Sequence, residues 1–192
     1  MSEYKNILVV QTAFLGDVIL TLPLVHSLKN AFPATNIDVM VVPRAAELLT
    51  SHPDIRQTII YDKRGKDAGI FGLLRLRKIL RANNYQIAVV PHRSLRSAVL
   101  VASASIPHRI GFDRSAGQFL FTKTVRYDSA LHEVDRNLQL LQPLNIGPAL
   151  KDLPHLYPSR GDCEAVDQFL IAHHIRNDAK TIAIAPGSVW NT

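Results

Sequence analysis

The sequence predicts an α/β domain, a Rossmann-like doubly wound parallel sheet with helices on both faces. Three observations carry this. Short runs such as residues 6–11 (NILVVQ) and 37–42 (IDVMVV) are almost continuously apolar, as strands buried on both faces must be. Patterns with helical periodicity follow them. The strand–helix alternation then recurs along the chain at spacings of ~10–15 residues, the grammar of right-handed βαβ units.

Taken in order, residues 6–11 form a first strand and residues 12–17 a loop. A helical stripe of Val18, Leu22, Val25 and Leu28 runs to about Phe32. Pro23 lies inside it and is expected to kink it or divide it into a short first turn and a longer second part. Residues 37–42 form a second strand, and Pro43 opens a short helix through Leu49. Residues 58–61 form a third strand, 62–69 a polar loop, and 70–83 a helix with Ile70, Leu73, Leu74, Leu76, Ile79 and Leu80 as its apolar share. Residues 86–90 are a fourth strand, 94–103 a helix of small residues, and 109–111 a short strand. Helices are expected at 132–144 and 162–174, and a further strand at 181–185 (TIAIA). Pro143, Pro148, Pro154 and Pro158 mark a linker or wall between domains. The reading is of one domain over residues 1–160. Residues 161–192 are a linker helix and the first strand and loop of a second, truncated domain.

Composition narrows the classes. The chain has 192 residues, 47% hydrophobic and 20% charged, ordinary for a globular protein. Cys163 is the sole cysteine, so no internal disulfide forms. No stretch approaches the ~18 apolar residues of a membrane-spanning helix, and the first residues lack the layout of a signal peptide. The expected location is the cytoplasm. The net charge of +6 and pI near 9.7 point to an anionic partner.

In open α/β sheets ligands bind at the carboxyl ends of strands, which singles out the loop Thr12-Ala13-Phe14-Leu15-Gly16-Asp17. Gly16 permits close approach of backbone to ligand, and Asp17 opens a helix, where it is also favourable as a simple N-cap. The loop is neither G-x-G-x-x-G nor a Walker loop. Lys63, Arg64 and Lys66 follow the third strand and Arg93 the fourth. Arg114 follows the strand at 109–111. Such cations suit phosphate or carboxylate recognition. Arg75, Arg77, Lys78 and Arg81 read as a solvated helix face. His132 stands near a helix start, as ligand, base or structural residue. No second His or Cys lies at metal spacing, so no metal site is expected. Gly187 and Ser188 form a turn after a strand, offering N–H groups and a hydroxyl to an anion.

Together the segments Ile7-Leu8-Val9-Val10, Gly16-Asp17-Val18-Ile19-Leu20-Thr21-Leu22-Pro23, His132-Glu133-Val134-Asp135-Arg136-Asn137 and Pro186-Gly187-Ser188-Val189-Trp190-Asn191-Thr192 resemble the glycosyltransferase family that includes the ADP-heptose:lipopolysaccharide heptosyltransferases. The resemblance implies the GT-B arrangement of two Rossmann-like domains. The first binds an anionic, lipid-linked sugar acceptor, and the second binds the nucleotide sugar ADP-heptose. It implies no cofactor and no metal, and peripheral contact with the inner membrane. Asp17 matches the family's general base for a single inverting displacement. Lys63, Arg64, Lys66 and Arg114 match the acceptor side, with Thr12, Gly16 and Arg93 beside them. Ser188 matches a contact to the donor phosphates, with Gly187 and His132 assigned to the donor as well. Two other readings stand beside it. One is a transferase of the same family with another donor or acceptor. The other is a non-catalytic module binding nucleic acid or acceptor. Nucleic acid is disfavoured because aromatics are 7% and scattered.

Overall fold

In the computed structural model, residues 4–147, 153–176, 179–182 and 184 are described. The chain divides into two units, residues 1–157 and 158–192.

The first unit is organised by one strand. β1 (Asn6–Val10) pairs in parallel with β2 (Asn36–Val41) on one side and β4 (Ile87–Val90) on the other. Beyond them lie β3 (Gln57–Ile60), β5 (His108–Phe112) and β6 (Lys123–Val125). The order is β3-β2-β1-β4-β5-β6, and every pairing is parallel. Successive side chains of β1 enter opposite cores. Ile7 and Val9 pack with Leu24, Val25 and Leu28 on one face. Leu8 and Val10 pack with Leu76, Leu80 and Leu100 on the other. Each fully buried aliphatic side chain contributes roughly 1.5–3 kcal/mol, so both faces of β1 hold the unit together.

Helices α1 (Leu15–Ile19) and α2 (Leu22–Ala31) form the divided pattern the sequence suggests. Pro23 sits in the first turn of α2, where its missing N–H has no intrahelical partner to lose. α3 (Pro43–Ala46) runs into a 3-10 turn at Glu47–Leu49. α4 (Gly69–Ala82) and α5 (Leu95–Ser103) cover the second core, and α6 (Glu133–Gln139) adds to the first.

The structure departs from the sequence reading in four places. β6 was not expected, because Lys123 and Thr124 are exposed on an edge strand and break the apolar run. The helix expected over 132–144 ends at Gln139. Leu140 and Leu141 then bond three residues back, to Asn137 and Leu138, tightening the chain into the 3-10 turn Gln142–Leu144 that holds Pro143. Arg75 and Arg77 are not merely solvated. Arg75 pairs with the buried Asp67, and Arg77 Nε donates to the Ser103 carbonyl at 2.9 Å. In the second unit, α7 (Arg160–Ala172) is closed by a capping box between Ser159 and Asp162. The strand expected over 181–185 is not formed at 181, 182 or 184, since the described residues of this unit contain no strand to pair with it. The rest of that segment lies outside the described residues.

Candidate anion site at the carboxyl edge of the sheet

From β1 the chain moves outward through β2 to β3, then returns to β4 and proceeds the other way. The crevice between the carboxyl ends of β1 and β4 is therefore the topological switch point. Two loops meet there, residues 11–14 and 91–94. Thr12 Oγ1 shares a hydrogen bond of 2.9 Å with His92 Nδ1 and lies 3.3 Å from Ser97 Oγ. From the loop after β3, Lys63 Nζ donates to the Thr12 carbonyl at 2.8 Å and lies 5.6 Å from the centre of the Tyr61 ring.

These contacts set the electrostatics. Burial, then the neighbouring Arg96, lower the Lys63 ammonium to about 8. Burial, then Lys63 and Arg93, lower His92 to about 4, so its imidazole is neutral at pH 7. Both shifts record the cost of placing positive charge in a half-buried place already rich in it. Such a place gains most from an incoming anion.

A second set of contacts ties the loops after β4, β5 and β6 together. The guanidinium carbons of Arg93 and Arg136 lie 4.3 and 4.6 Å from the centre of the Tyr127 ring. The Tyr127 N–H donates to Asp113 Oδ1 at 2.8 Å, and Arg136 also donates to the carbonyls of Asp128 and Leu131. A buried polar set lies behind the first loop. Gln11 and Asn137 both donate to Thr21 Oγ1, at 3.1 and 3.4 Å. Thr21 Oγ1 in turn donates to the Asp17 carbonyl at 2.7 Å. The Asp17 backbone is thus held from β1 and α6.

Asp17 is the third residue of α1, with Phe14 at the N-cap position, a correction to the N-cap alternative. Its Oδ2 accepts the Phe14 N–H at 3.0 Å, so the carboxylate does close the helix, by reaching back from the third position. Oδ1 makes no hydrogen bond with the described residues. Gly16 is exposed, and an added Cβ would meet nothing within 4 Å. Arg64, Lys66 and Arg114 are exposed on loops at this edge, and Arg93 is engaged with Tyr127. Asp62 and Asp67 fold the 62–68 loop. Asp62 Oδ1 accepts the Gly65 N–H, and Asp67 Oδ2 accepts the Asp62 N–H. His132 is the N-cap of α6, its Nδ1 accepting the Val134 N–H at 3.3 Å. Gly187 and Ser188 lie outside the described residues. Among the described residues no three His, Cys, Asp or Glu side chains converge as a metal set.

His92, Arg96, Ser97, Tyr61 and Tyr127 were not singled out from sequence. His92 had a usable signal, since Pro91-His92-Arg93 directly follows a strand and falls under the same switch-point rule as Thr12. Tyr127 had none, because its partners are 34 and 9 residues away.

A Rossmann-like unit with a cationic carboxyl edge defines an α/β domain whose switch point is electrostatically suited to an anion. Comparison with known proteins places it further. Residues 73–192 match the family described as glycosyltransferase family 9 (heptosyltransferase). Lipopolysaccharide heptosyltransferase 3 of Escherichia coli strain K12 is 30% identical over 158 residues, 77% of this chain and 44% of that relative. The structure of E. coli ADP-heptose lps heptosyltransferase II superposes with a TM-score of 0.68 at 26% identity, over 85% of this chain and 50% of that one. A glycosyl transferase family 9 structure from Veillonella parvula superposes with a TM-score of 0.86 at 23% identity, over 100% and 58%. The chain belongs to glycosyltransferase family 9. It spans about half the length of the curated relatives it matches.

Proposed function

We propose that residues 1–160 form the acceptor-binding domain of an inverting, metal-independent glycosyltransferase, and that residues 161–192 belong to its donor-binding domain. The transferred sugar is heptose from ADP-heptose, and the acceptor is the anionic, lipid-linked inner core of lipopolysaccharide. Relatives named as lipopolysaccharide heptosyltransferases support this reading. The observation that carries it is the juxtaposition at one sheet edge of the half-buried Lys63, the cations Arg64, Lys66, Arg93, Arg96 and Arg114, and the Asp17 loop.

In this mechanism the cations hold the acceptor's phosphates and acidic sugars. Asp17 takes the proton from the acceptor hydroxyl as its oxygen attacks the anomeric carbon. The bond to the ADP leaving group breaks in the same displacement, inverting that centre. The carboxylate's charge offsets the oxocarbenium-like transition state. Gly187, Ser188 and His132 contact the donor. Acceptance takes place at the cytoplasmic side of the membrane that carries the lipid-linked sugar.

Equilibrium dialysis of the chain against a phosphorylated inner-core oligosaccharide tests the acceptor reading. Binding is expected to weaken at least tenfold, about 1.4 kcal/mol, when the sugar is dephosphorylated or Lys63 is replaced by Met. Equal binding of both sugars overturns it.

A further inference from the structure

The outer face of α4 combines exposed apolar side chains with basic ones. Its inner side, Gly72, Leu76 and Leu80, is buried against the second core. Outward it exposes Ile70, Phe71 and Leu74, with Phe71 84% exposed. At about 100° per residue, Ile70, Leu74, Arg77, Lys78 and Arg81 fall on one side of the helix. Leu74, Arg77, Lys78 and Arg81 line a surface groove of about 250 Å³. The helix has four basic residues and no acidic one. Arg75 is spent on Asp67, and Arg77 gives its Nε to Ser103. Lys78 and Arg81 are exposed and form no ion pair with the described residues.

We propose that this face docks on an anionic lipid bilayer. An exposed phenylalanine flanked by aliphatic side chains calls for a covering partner. The cations beside it require that partner to be negatively charged. Nucleic acid would use the cations but not Ile70 and Leu74, and a purely apolar protein surface would leave Lys78 and Arg81 unpaired. A bilayer with acidic headgroups takes both, the apolar end entering the acyl boundary and the basic end lying among phosphates. No helix among the described residues is long and apolar enough to cross a membrane, so the contact is peripheral. The apolar end of α4 begins one residue after the loop that carries Lys63, which puts the docked face next to the candidate site. The inference deepens the lipid-linked acceptor reading and rests on it for its purpose. Its test contains no sugar, so the two fail separately.

The chain is sedimented with vesicles of phosphatidylcholine alone and of phosphatidylcholine with phosphatidylglycerol. It is expected to pellet with the anionic vesicles only, and less at high salt. Phe71→Ser is expected to weaken the partition at least fivefold, and Lys78→Glu/Arg81→Glu by more than the roughly fivefold per cation that an anionic surface confers. Arg44→Glu/Lys123→Glu, which changes net charge equally at exposed positions on α3, packed against the other core, and on the edge strand β6, is expected to leave binding nearly unchanged. Far-UV circular dichroism confirms that each variant folds. Equal binding to neutral vesicles overturns the proposal, as does equal loss in the control pair. So does concentration-dependent self-association by light scattering that Phe71→Ser abolishes, since that assigns the face to a second copy of the chain.

Discussion

The Lys63 ammonium donates to the Thr12 carbonyl at 2.8 Å, joining the loop after β3 to the loop after β1 across the end of β2. That bond holds a cation where burial and Arg96 oppose its charge. An anionic ligand supplies the missing counter-charge and raises the Lys63 pKa from about 8. Binding of an inner-core phosphate is therefore expected to take up a proton between pH 8 and 9 and none near pH 6. Titration calorimetry in buffers of differing ionisation enthalpy measures this uptake. It is expected to vanish in Lys63→Gln, and persistence in that variant removes Lys63 from the site.

His92 makes a prediction of opposite use. Its imidazole resists protonation down to about pH 4 in the folded chain, whereas an ordinary histidine titrates near 6.5. Between these values the unfolded state binds a proton that the folded state refuses. Stability is then lost as pH falls from about 6.5 toward 4, with no further loss from this group below that. Urea midpoints across that range are expected to fall more steeply in the wild type than in His92→Gln. Parallel slopes would show that His92 is protonated at no cost.

How far the sequence revealed this architecture depends on where each signal lives. Strands β1 and β2 and the break at Pro23 were legible because local pattern and tertiary role agree there. The edge strand β6 was not, since its pairing with β5 is made by backbone bonds that exposed Lys123 and Thr124 do not advertise. Of the site, the loop after β1 and the basic loop after β3 could be placed by the switch-point rule. The stacking of Arg93 and Arg136 on Tyr127 joins three distant segments, and no spacing within the chain encodes it. Asp38 was hidden for the same reason. It sits inside an apolar run, and the partners that satisfy it are 18 to 47 residues further on.

Asp38 supplies the stability test. Its carboxylate is fully buried and accepts from Arg56 Nε at 2.9 Å, from Gln57 Nε2 at 2.7 Å and from the Tyr85 hydroxyl. Burial, and then the hydrogen bond to Asp38, push the Tyr85 phenol far up. Removing one side of such a cluster costs about 3–5 kcal/mol. Arg56 is 35% exposed and can rehydrate, so Asp38→Ala is expected near 3 kcal/mol, the low end of that range. Because the cluster lies where β3 begins, away from the carboxyl edge, phosphate binding by the folded fraction is expected to be unchanged. Denaturant unfolding and dialysis together check both halves.

Gly72 links the core to the basic loop. A Cβ there would stand 2.3 Å from the Asp67 backbone, and backbone cannot swing aside as a side chain can. Gly72→Ala is expected to displace the turn held by Asp67 and Arg75, at roughly 1–3 kcal/mol. Lys63, six residues before the start of α4, is expected to move with that turn. Weakened anion binding is expected alongside the lost stability, and tighter binding would show that the loop is positioned independently of α4.

Asp17 closes a helix turn and, in the proposed mechanism, takes a proton, and one substitution separates the two. Its Oδ2 closes the first turn of α1 through the Phe14 N–H, while its Oδ1 is without a hydrogen bond to the described residues. Asparagine retains an oxygen for Phe14 but cannot take a proton. In an enzyme assembled from this unit and the donor-binding half of a family member, Asp17→Asn is expected to lower transfer by about 10²–10⁴, the usual worth of a general base. Acceptor binding and the unfolding midpoint should hardly move. Asp17→Ala is expected to lose the helix closure as well, at about 0.5–2 kcal/mol by analogy with lost caps. Transfer that survives in the asparagine variant and falls only in the alanine one assigns Asp17 to the architecture of α1, and the base must then be sought elsewhere along the same edge.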